Sequence, residues 1–213
     1  MPVRKKAPED LTAKKALALE VIRRLKAEYP DAGCTLDYDH AWQLLVSVRL
    51  AAQCTDARVN IVVEELFAKY PSVAALAAAE PEDIEAIVKP CGLGHSKARD
   101  ISACMRMLRD KYDCRVPNTF EELLALPGVG RKSANLIMGD VFGKPAIVTD
   151  THCIRLCNKI GLVDGIKEPQ KVEMALWKII PPAEGSDLCH RFVMHGRAVC
   201  NARKPECEKC CLK

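Results

Sequence analysis

The spacing of the apolar residues is the feature that most restricts the fold of this chain. Leu17, Val21, Ile22 and Leu25 recur at the intervals of one face of an α-helix over 12–28. No segment alternates between apolar and polar residues as a half-buried strand does. The spacing therefore predicts an all-α fold of about ten helices. The other predicted helices are 40–53, 55–70, 72–79, 81–89, 96–112, 119–125, 130–142, 152–160, 168–180 and 186–198.

Several of these helices carry a recognisable start or end signal. Asp39, Thr55 and Thr119 are predicted N-caps, because their side chains accept hydrogen bonds from the first free amides of a helix. Ser96 is the predicted start of a longer helix. Gly161 is the predicted end of another.

The composition is that of an ordinary globular protein. The chain has 213 residues, of which 49% are apolar and 28% charged, enough for one large domain or two small ones. No apolar run approaches the roughly 18 residues of a membrane span, and the first residues lack the apolar stretch of a signal peptide. We therefore expect an intracellular, cytoplasmic protein with no membrane partner.

The net charge of +4 is modest, but both ends of the chain are basic. Residues 1–28 hold eight Lys or Arg against four acids, and residues 190–213 hold six against two. Two termini that share one surface would offer phosphate a basic face. On charge alone, solvated helix faces and tails are an equally good interpretation.

Twelve cysteines are many for an intracellular chain. Without a secretory signal a disulfide framework is not expected, so metal binding is the better hypothesis. Cys200, Cys207 and Cys210 follow the spacing C-x6-C-x2-C and are the candidate ligands. Cys153 and Cys157 stand one helical turn apart and could share a metal, but buried core thiols are the favoured interpretation.

A tight turn before a helix stands in the segment LPGVGRKSAN, residues 126–135. Pro127 fixes one backbone dihedral, and Gly128 and Gly130 permit positive φ or a close backbone approach. The free amides at the mouth of the next helix form an anion site, where a DNA phosphate binds without any base being read. A ligand-free turn is the alternative on these glycines alone. A similar Gly-x-Gly pattern precedes the helix in GLGHSKA, residues 92–98.

Two cations, Arg131 and Lys132, occupy a helix start that favours anions. An amine that acts as a nucleophile near neutral pH needs a pKa about 3 units below its reference value of ~10.4. The helix terminus, the neighbouring Arg131 charge and desolvation under bound DNA all lower the pKa of such an amine. Lys132 is therefore a candidate nucleophile, and a solvated surface lysine is the alternative.

These segments together, in this order, resemble the endonuclease III family of bifunctional DNA glycosylases, which carry a helix-hairpin-helix motif. The resemblance runs from about residue 35 to the end of the chain. It is carried by AAQCTDARVN (51–60), CGLGHSKA (91–98), LPGVGRKSAN (126–135), VTDTHCIRL (148–156) and HGRAVCNARKPECEKC (195–210).

The resemblance implies a DNA glycosylase and AP lyase that removes oxidised pyrimidines, such as thymine glycol, in base excision repair. Lys132 would attack C1′ of the damaged nucleotide, displace the base and form a Schiff base, from which β-elimination cuts the strand. Asp150 matches the family's catalytic aspartate and would accept a proton or stabilise positive charge on the sugar. Asp150 is also a good N-cap for the helix that follows, and the two roles are compatible.

Two other functions remain open. A pyrimidine-dimer glycosylase shares the lysine, and a non-catalytic, metal-dependent DNA-binding protein could retain the hairpin. The adenine-mismatch relatives lack the lysine and have an additional C-terminal domain, so Lys132 and the length of the chain argue against them.

The expected partner is damaged double-stranded DNA, bound by a monomer. By resemblance, Gln53 at the end of its helix and Leu93 between two glycines fill the gap that a flipped base leaves. The alternatives are a polar helix end for Gln53 and a core hydrophobe for Leu93. His95, Lys97 and His152 are expected near the DNA.

By the same resemblance, Cys200, Cys207 and Cys210 ligate a 4Fe–4S cluster. The family's fourth cysteine would fall at position 216, beyond the last residue, and we expect a longer native chain to supply it. A three-cysteine cluster with an outside ligand and a zinc site completed by a residue such as His195 are the alternatives.

The loop between these cysteines carries Arg203 and Lys204, which would then project toward phosphate. The architecture implied by the resemblance is two all-α domains with a DNA-binding cleft between them. A six-helix domain spans 34–144 and carries the hairpin. A discontinuous domain, 1–33 plus 145–213, carries Asp150 and the iron–sulfur loop.

Overall fold

The computed structural model describes residues 11–213. Every regular element in this range is helical, so the predicted all-α class is confirmed. The first ten residues, which include Arg4, Lys5 and Lys6 of the basic N-terminal segment, lie outside the described residues. Within residues 11–213, no helix is at once long enough and apolar enough to cross a membrane.

The chain divides into two compact units. The discontinuous unit consists of Met1–Gly33 and Pro145–Lys213, and the continuous unit is Cys34–Lys144. The α-helices of the discontinuous unit are α1 (Leu11–Glu28), α9 (Thr151–Ile160), α10 (Pro169–Leu176) and α11 (Gly185–Ala198). Those of the continuous unit are α2 (Ala41–Leu50), α3 (Asp56–Lys69), α4 (Val73–Ala78), α5 (Pro81–Val88), α6 (Gly94–Lys111), α7 (Phe120–Ala125) and α8 (Arg131–Asp140).

The continuous unit thus has seven α-helices, where the resemblance implied six. Pro81 at the first position of α5 begins a new helix directly after α4, because its fixed φ suits a helix start and its missing N–H is not needed there. The helices enclose one hydrophobic core, in which Leu44, Leu66, Met105 and Leu108 are completely buried.

The discontinuous unit has its own buried residues. Ala18 and Leu25 of α1, Leu156 of α9 and Phe192 of α11 have an exposure of 1% or less. Removing such side chains from water is the main contribution to the stability of each unit. Short 3₁₀ helices at Lys89–Cys91, Pro182–Glu184 and Cys207–Lys209 complete the secondary structure of residues 11–213.

Three of the five predicted end signals are confirmed. The hydroxyls of Thr55 and Thr119 accept the amides of the residues three positions on, and Gly161 ends α9 with φ 90°. Asp39 is not the N-cap, because α2 begins at Ala41 and its N-cap is His40. The side chain of Gln43 accepts hydrogen bonds from the amides of both Asp39 and His40. Ser96 does not open α6, which begins two residues earlier.

Candidate functional site

The turn between α7 and α8 is held by close backbone packing at one glycine. Gly128 has φ 75°, and a Cβ there would lie 2.9 Å from Asp100 Cβ and 3.1 Å from Arg49 Cδ. Arg49 and Asp100 form an ion pair with an N–O distance of 2.6 Å, so this contact joins the turn to α2 and α6. Gly130 differs from the expectation, because its φ is −96° and a Cβ would have no neighbour within 4 Å.

The N-terminus of α8 has no side-chain cap, because its N-cap residue is Gly130. The amide of Ala134 donates to Gly130 O at 2.9 Å, the first hydrogen bond within the helix. Thr55, Ser72 and Thr119, in contrast, each cap their own helix in this unit. The amides ahead of Ala134 therefore point out of the helix end, where an anion finds both donors and the positive end of the dipole.

The two cations at this helix start have different surroundings. The Arg131 guanidinium lies over the Phe120 ring, 4.9 Å from its centroid, in a cation–π contact. Lys132, the second residue of α8, is exposed. The contact of either cation with DNA stays a prediction.

Asp150 is the N-cap of α9, as predicted from its position before Thr151. Its Oδ1 accepts the amide of Cys153 at 2.7 Å. An ionised carboxylate has two oxygens and about four acceptor sites, so this one bond leaves capacity for a second partner. The cap is confirmed, and the catalytic role stays a prediction.

Gln53 and Leu93 share an unusual backbone conformation. Their φ values are 57° and 52°, in the left-handed region that residues other than glycine rarely adopt. Both side chains are exposed, Leu93 to 56%, so Leu93 is not folded into the core. Gln53 does not end a helix, because α2 stops at Leu50 and Gln53 lies in the turn that follows.

Lys97 has no exposed surface with which to contact DNA, and its expected place near the DNA stays a prediction. Its side chain is completely buried, and its Nζ donates to Leu50 O at 2.8 Å and to Cys91 O at 2.9 Å. Burial lowers the pKa of this amine. The fourth residue of α6 therefore faces the core, which the local sequence pattern did not indicate.

The two histidines are partnered within their own units. His95 is exposed at the start of α6 and its Nδ1 lies 2.9 Å from Glu85 Oε2. His152, the second residue of α9, packs on Gly196, where a Cβ would lie 2.3 Å from the ring. Whether either contacts DNA stays a prediction.

In the discontinuous unit, a cavity of about 440 Å³ is lined by all three candidate cysteine ligands. Its apolar wall includes Leu17 and Leu156. The cysteines that line it are Cys200, Cys207 and Cys210. Among residues 11–213, however, no three His, Cys, Asp or Glu side chains converge closely enough to hold a metal ion.

Two cations lie beside the buried thiol of this cavity. Arg155 Nη1 and Lys159 Nζ each donate to Cys200 Sγ at 3.6 Å. Both cations therefore lie beside one of the three candidate metal ligands. Neither residue was predicted, although their four-residue spacing places them on one face of α9.

The remaining predicted residues are two loop cations and two cysteines of α9. Arg203 and Lys204 are exposed in the loop between Cys200 and Cys207. Cys153 and Cys157 are buried core thiols with their sulfurs 3.9 Å apart, in agreement with the favoured interpretation.

Known proteins similar to this chain are DNA repair proteins. The family model described as "HhH-GPD superfamily base excision DNA repair protein" matches residues 46–182. A protein named "Endonuclease III" from Synechocystis sp. is 43% identical over 203 residues, which are 95% of this chain and 92% of that protein. An "Endonuclease III" from Escherichia coli is 37% identical over 93% of this chain and 94% of its own length.

Two solved structures are similar over almost the whole chain. One is described as "Structure of a non-covalent Endonuclease III-DNA Complex", with a TM-score of 0.88, 40% identity, and coverage of 93% of this chain and 92% of that one. The other is described as "Structure of a Trapped Endonuclease III-DNA Covalent Intermediate: Estranged-Adenine Complex", with a TM-score of 0.88, 40% identity and coverage of 92% of each chain.

Proposed function

The chain belongs to the HhH-GPD superfamily of base excision DNA repair proteins and is a DNA glycosylase and AP lyase, and on that premise we propose that Lys132 is its nucleophile. The observation that carries the proposal is the position of Lys132, exposed at the second residue of a helix that has no side-chain cap. A relative 40% identical is described as a trapped covalent intermediate with DNA, which supports a nucleophile that bonds to DNA.

The reaction begins with the neutral Lys132 amine. Its lone pair forms a bond to C1′, the bond from C1′ to the base breaks, and the base leaves with that electron pair and takes up a proton. The nitrogen gives up one proton, the bond from C1′ to O4′ breaks, O4′ takes up a proton, and a protonated Schiff base joins C1′ to Lys132. Loss of a proton from C2′ then expels the 3′ phosphate, which cuts the strand.

The protonation of Lys132 is the main energetic requirement. Lowering an amine pKa by about 3 units corresponds to roughly 4 kcal/mol. A helix N-terminus supplies ~0.3–1 kcal/mol at an exposed position. Because Lys132 is exposed in the continuous unit, bound DNA must provide most of the remainder by excluding water.

Asp150 has the second chemical role in this proposal. Its carboxylate accepts a proton during the attack or stabilises the positive charge that develops on the sugar, as carboxylates do in glycoside hydrolysis. The bond from the Cys153 amide fixes the orientation of one carboxylate oxygen. The same residue thus starts α9 and serves the reaction.

DNA is held and opened by three groups of residues, two of them in the continuous unit. The turn at Gly128 and Gly130, with the amides and Arg131 at the start of α8, binds a backbone phosphate. Gln53 and Leu93 enter the stack and fill the gap behind the flipped nucleotide, for which two exposed side chains on strained turns are suited. Of the discontinuous unit, Arg203, Lys204 and His152 contribute further contacts to the DNA, and His95 does so from α6.

We assign the cysteine-lined cavity to a 4Fe–4S cluster, the cofactor that the resemblance to the family implies. Cys200, Cys207 and Cys210 are the thiolates of this chain that would ligate it, and Arg155 and Lys159 donate hydrogen bonds to Cys200 Sγ. The cluster would supply no step of the reaction, and would pin the loop that carries Arg203 and Lys204.

Iron and acid-labile sulfide analysis of the purified protein tests this assignment. Cys200→Ser is expected to abolish bound iron, whereas Cys114→Ser, at an exposed cysteine away from the cavity, keeps it. Zinc without iron would contradict the cluster and favour a zinc site.

The proposed substrates are oxidised pyrimidines, such as thymine glycol, in double-stranded DNA, acted on by a monomer in the cytoplasm at the nucleoid. The test is borohydride reduction in the presence of thymine-glycol duplex. The protein is expected to give a covalent adduct, and Lys132→Ala to give none. Lys111→Ala, at another exposed lysine of the continuous unit, is the matched control and keeps the adduct.

Two outcomes would contradict the proposal in different ways. An adduct with pyrimidine-dimer DNA but not with thymine glycol would change the substrate. Binding without any adduct would leave a DNA-binding protein. Asp150→Asn sharpens the test, because the amide oxygen still caps α9 while excision falls on the order of 10²-fold.

A further inference from the structure

One buried amine donates hydrogen bonds to the last carbonyls of two helices that are far apart in sequence. Lys97 Nζ donates to Leu50 O at 2.8 Å and to Cys91 O at 2.9 Å, and the side chain has no exposed surface. Leu50 is the last residue of α2, and Cys91 is the last residue of the 3₁₀ helix Lys89–Cys91. A carbonyl at a helix end lacks a partner within its helix and carries partial negative charge, so an ammonium is a suitable cap for both.

The two capped ends lead directly into the two strained turns. Gln53 follows Leu50 by three residues, and Leu93 follows Cys91 by two. Each has a positive φ, a conformation that is strained for any residue other than glycine. Strained residues persist only where the surrounding structure determines them.

Other contacts tie the same turns together. The amide of Lys97 donates to Leu93 O at 3.0 Å, so Lys97 holds this turn through its backbone as well. Burial and the neighbouring Cys54 thiol raise the pKa of Cys91 to about 11, so the residue after Gln53 lies beside the other turn. Lys97 is the charged member of this set.

We propose that Lys97 is a positioning residue that fixes the spacing of Gln53 and Leu93, so that both side chains enter the duplex together when a nucleotide is flipped. This inference rests on the gap-filling role given to those residues in the proposed function. It assigns to the buried lysine a purpose in DNA recognition without any contact with DNA.

A purely structural role makes a different prediction. If Lys97 only stabilised the core, its replacement would weaken every activity of the protein equally. If it positions the gap-filling residues, the loss is confined to double-stranded DNA, because a single strand has no opposite base and leaves no gap to fill.

The test compares borohydride trapping on two substrates under single-turnover conditions. These are an abasic site in duplex DNA and the same oligonucleotide as a single strand. Lys97→Met, which removes the donors at nearly constant length, is expected to lower the duplex rate about tenfold to a hundredfold, because misplacements of about 1 Å have effects of that size. The single-strand rate is expected to stay within about twofold. Lys111→Met, at the exposed end of α6, is the control and leaves both rates unchanged.

A coupling measurement shows whether Lys97 acts through the two turns. In a Gln53→Gly/Leu93→Gly background, Lys97→Met should lower the duplex rate no further, since residues that act as one unit are not additive. Lys97→Gln, which keeps one donor group, serves if the methionine variant does not fold.

Three outcomes would overturn the proposal. They are an equal loss on both substrates, a duplex rate like that of Lys111→Met, and failure of both Lys97 variants to fold. Failure of the proposed function is distinct, because the unmodified protein would then give no adduct with either substrate.

Discussion

Two turns of the continuous unit share the pattern Gly-x-Gly and differ in almost everything that matters for function. In Gly92-Leu93-Gly94 the central leucine has φ 52° and is 56% exposed. In Gly128-Val129-Gly130 the central valine is partly buried against the core, and the positive φ belongs to Gly128. The first turn presents an apolar side chain, and the second presents backbone amides.

The lysines after the two turns differ in the same way. Lys97 is the fourth residue of α6 and is completely buried, whereas Lys132 is the second residue of α8 and is exposed. Successive residues of an α-helix are rotated by about 100° about its axis. The second and fourth positions of a helix therefore point to nearly opposite faces. The lysine whose pKa burial lowers is therefore the one that cannot reach a substrate. A lowered pKa identifies a nucleophile only together with access.

The largest expected effect comes from moving the second lysine by one position. The double variant Lys132→Ser/Ser133→Lys keeps the composition and the charge of α8 but turns the amine by about 100° about the helix axis. Strand cleavage at an abasic site should fall on the order of 10³-fold or more, as when a nucleophile is removed. Single-turnover cleavage measures this. Activity near that of the unmodified protein would show that no particular lysine position is required.

A smaller effect is expected from adding a methyl group to each turn. Gly128→Ala should lower the free energy of unfolding by about 2 kcal/mol or more, because a positive φ and crowding by Asp100 and Arg49 act together. Gly92→Ala should cost about 1 kcal/mol, since it has a positive φ but no neighbour within 4 Å of a Cβ. Urea unfolding compares the two. Equal losses would mean that the packing at Gly128 contributes nothing.

The smallest expected effect concerns the central residues. Leu93→Gly should change the free energy of unfolding by less than about 1 kcal/mol, because relief of backbone strain offsets the added flexibility of glycine. Excision from duplex DNA should nevertheless fall about tenfold, since the wedge is lost. Val129→Gly should instead lower the free energy of unfolding by about 1–2 kcal/mol, because apolar contacts are removed, and should leave excision nearly unchanged. A Leu93→Gly variant with full duplex activity would remove Leu93 from the gap-filling role.

The features that the sequence predicted correctly depend on local chemistry. The caps at Thr55, Thr119 and Asp150 need only a side chain and an amide three residues on. The helical class follows from periodicity. The three cysteines chosen by their spacing line one cavity, and their role as metal ligands stays a prediction.

The features that escaped prediction depend on contacts between distant segments. The burial of Lys97 requires α2 and the 3₁₀ helix to bring two carbonyls to it, and the placement of Arg131 requires the Phe120 ring. Because α2 ends at Leu50 and not at Gln53 as predicted, Gln53 lies in a turn with positive φ. None of these has a signal within a few residues of the side chain concerned.

The central claim is that the exposed Lys132 amine forms the covalent bond with DNA. Mass-spectrometric mapping of the borohydride-reduced adduct tests it most directly, because it identifies the modified residue without any substitution. We expect the reduced sugar to be attached to Lys132. Attachment to another lysine or to the N-terminal amine would contradict it.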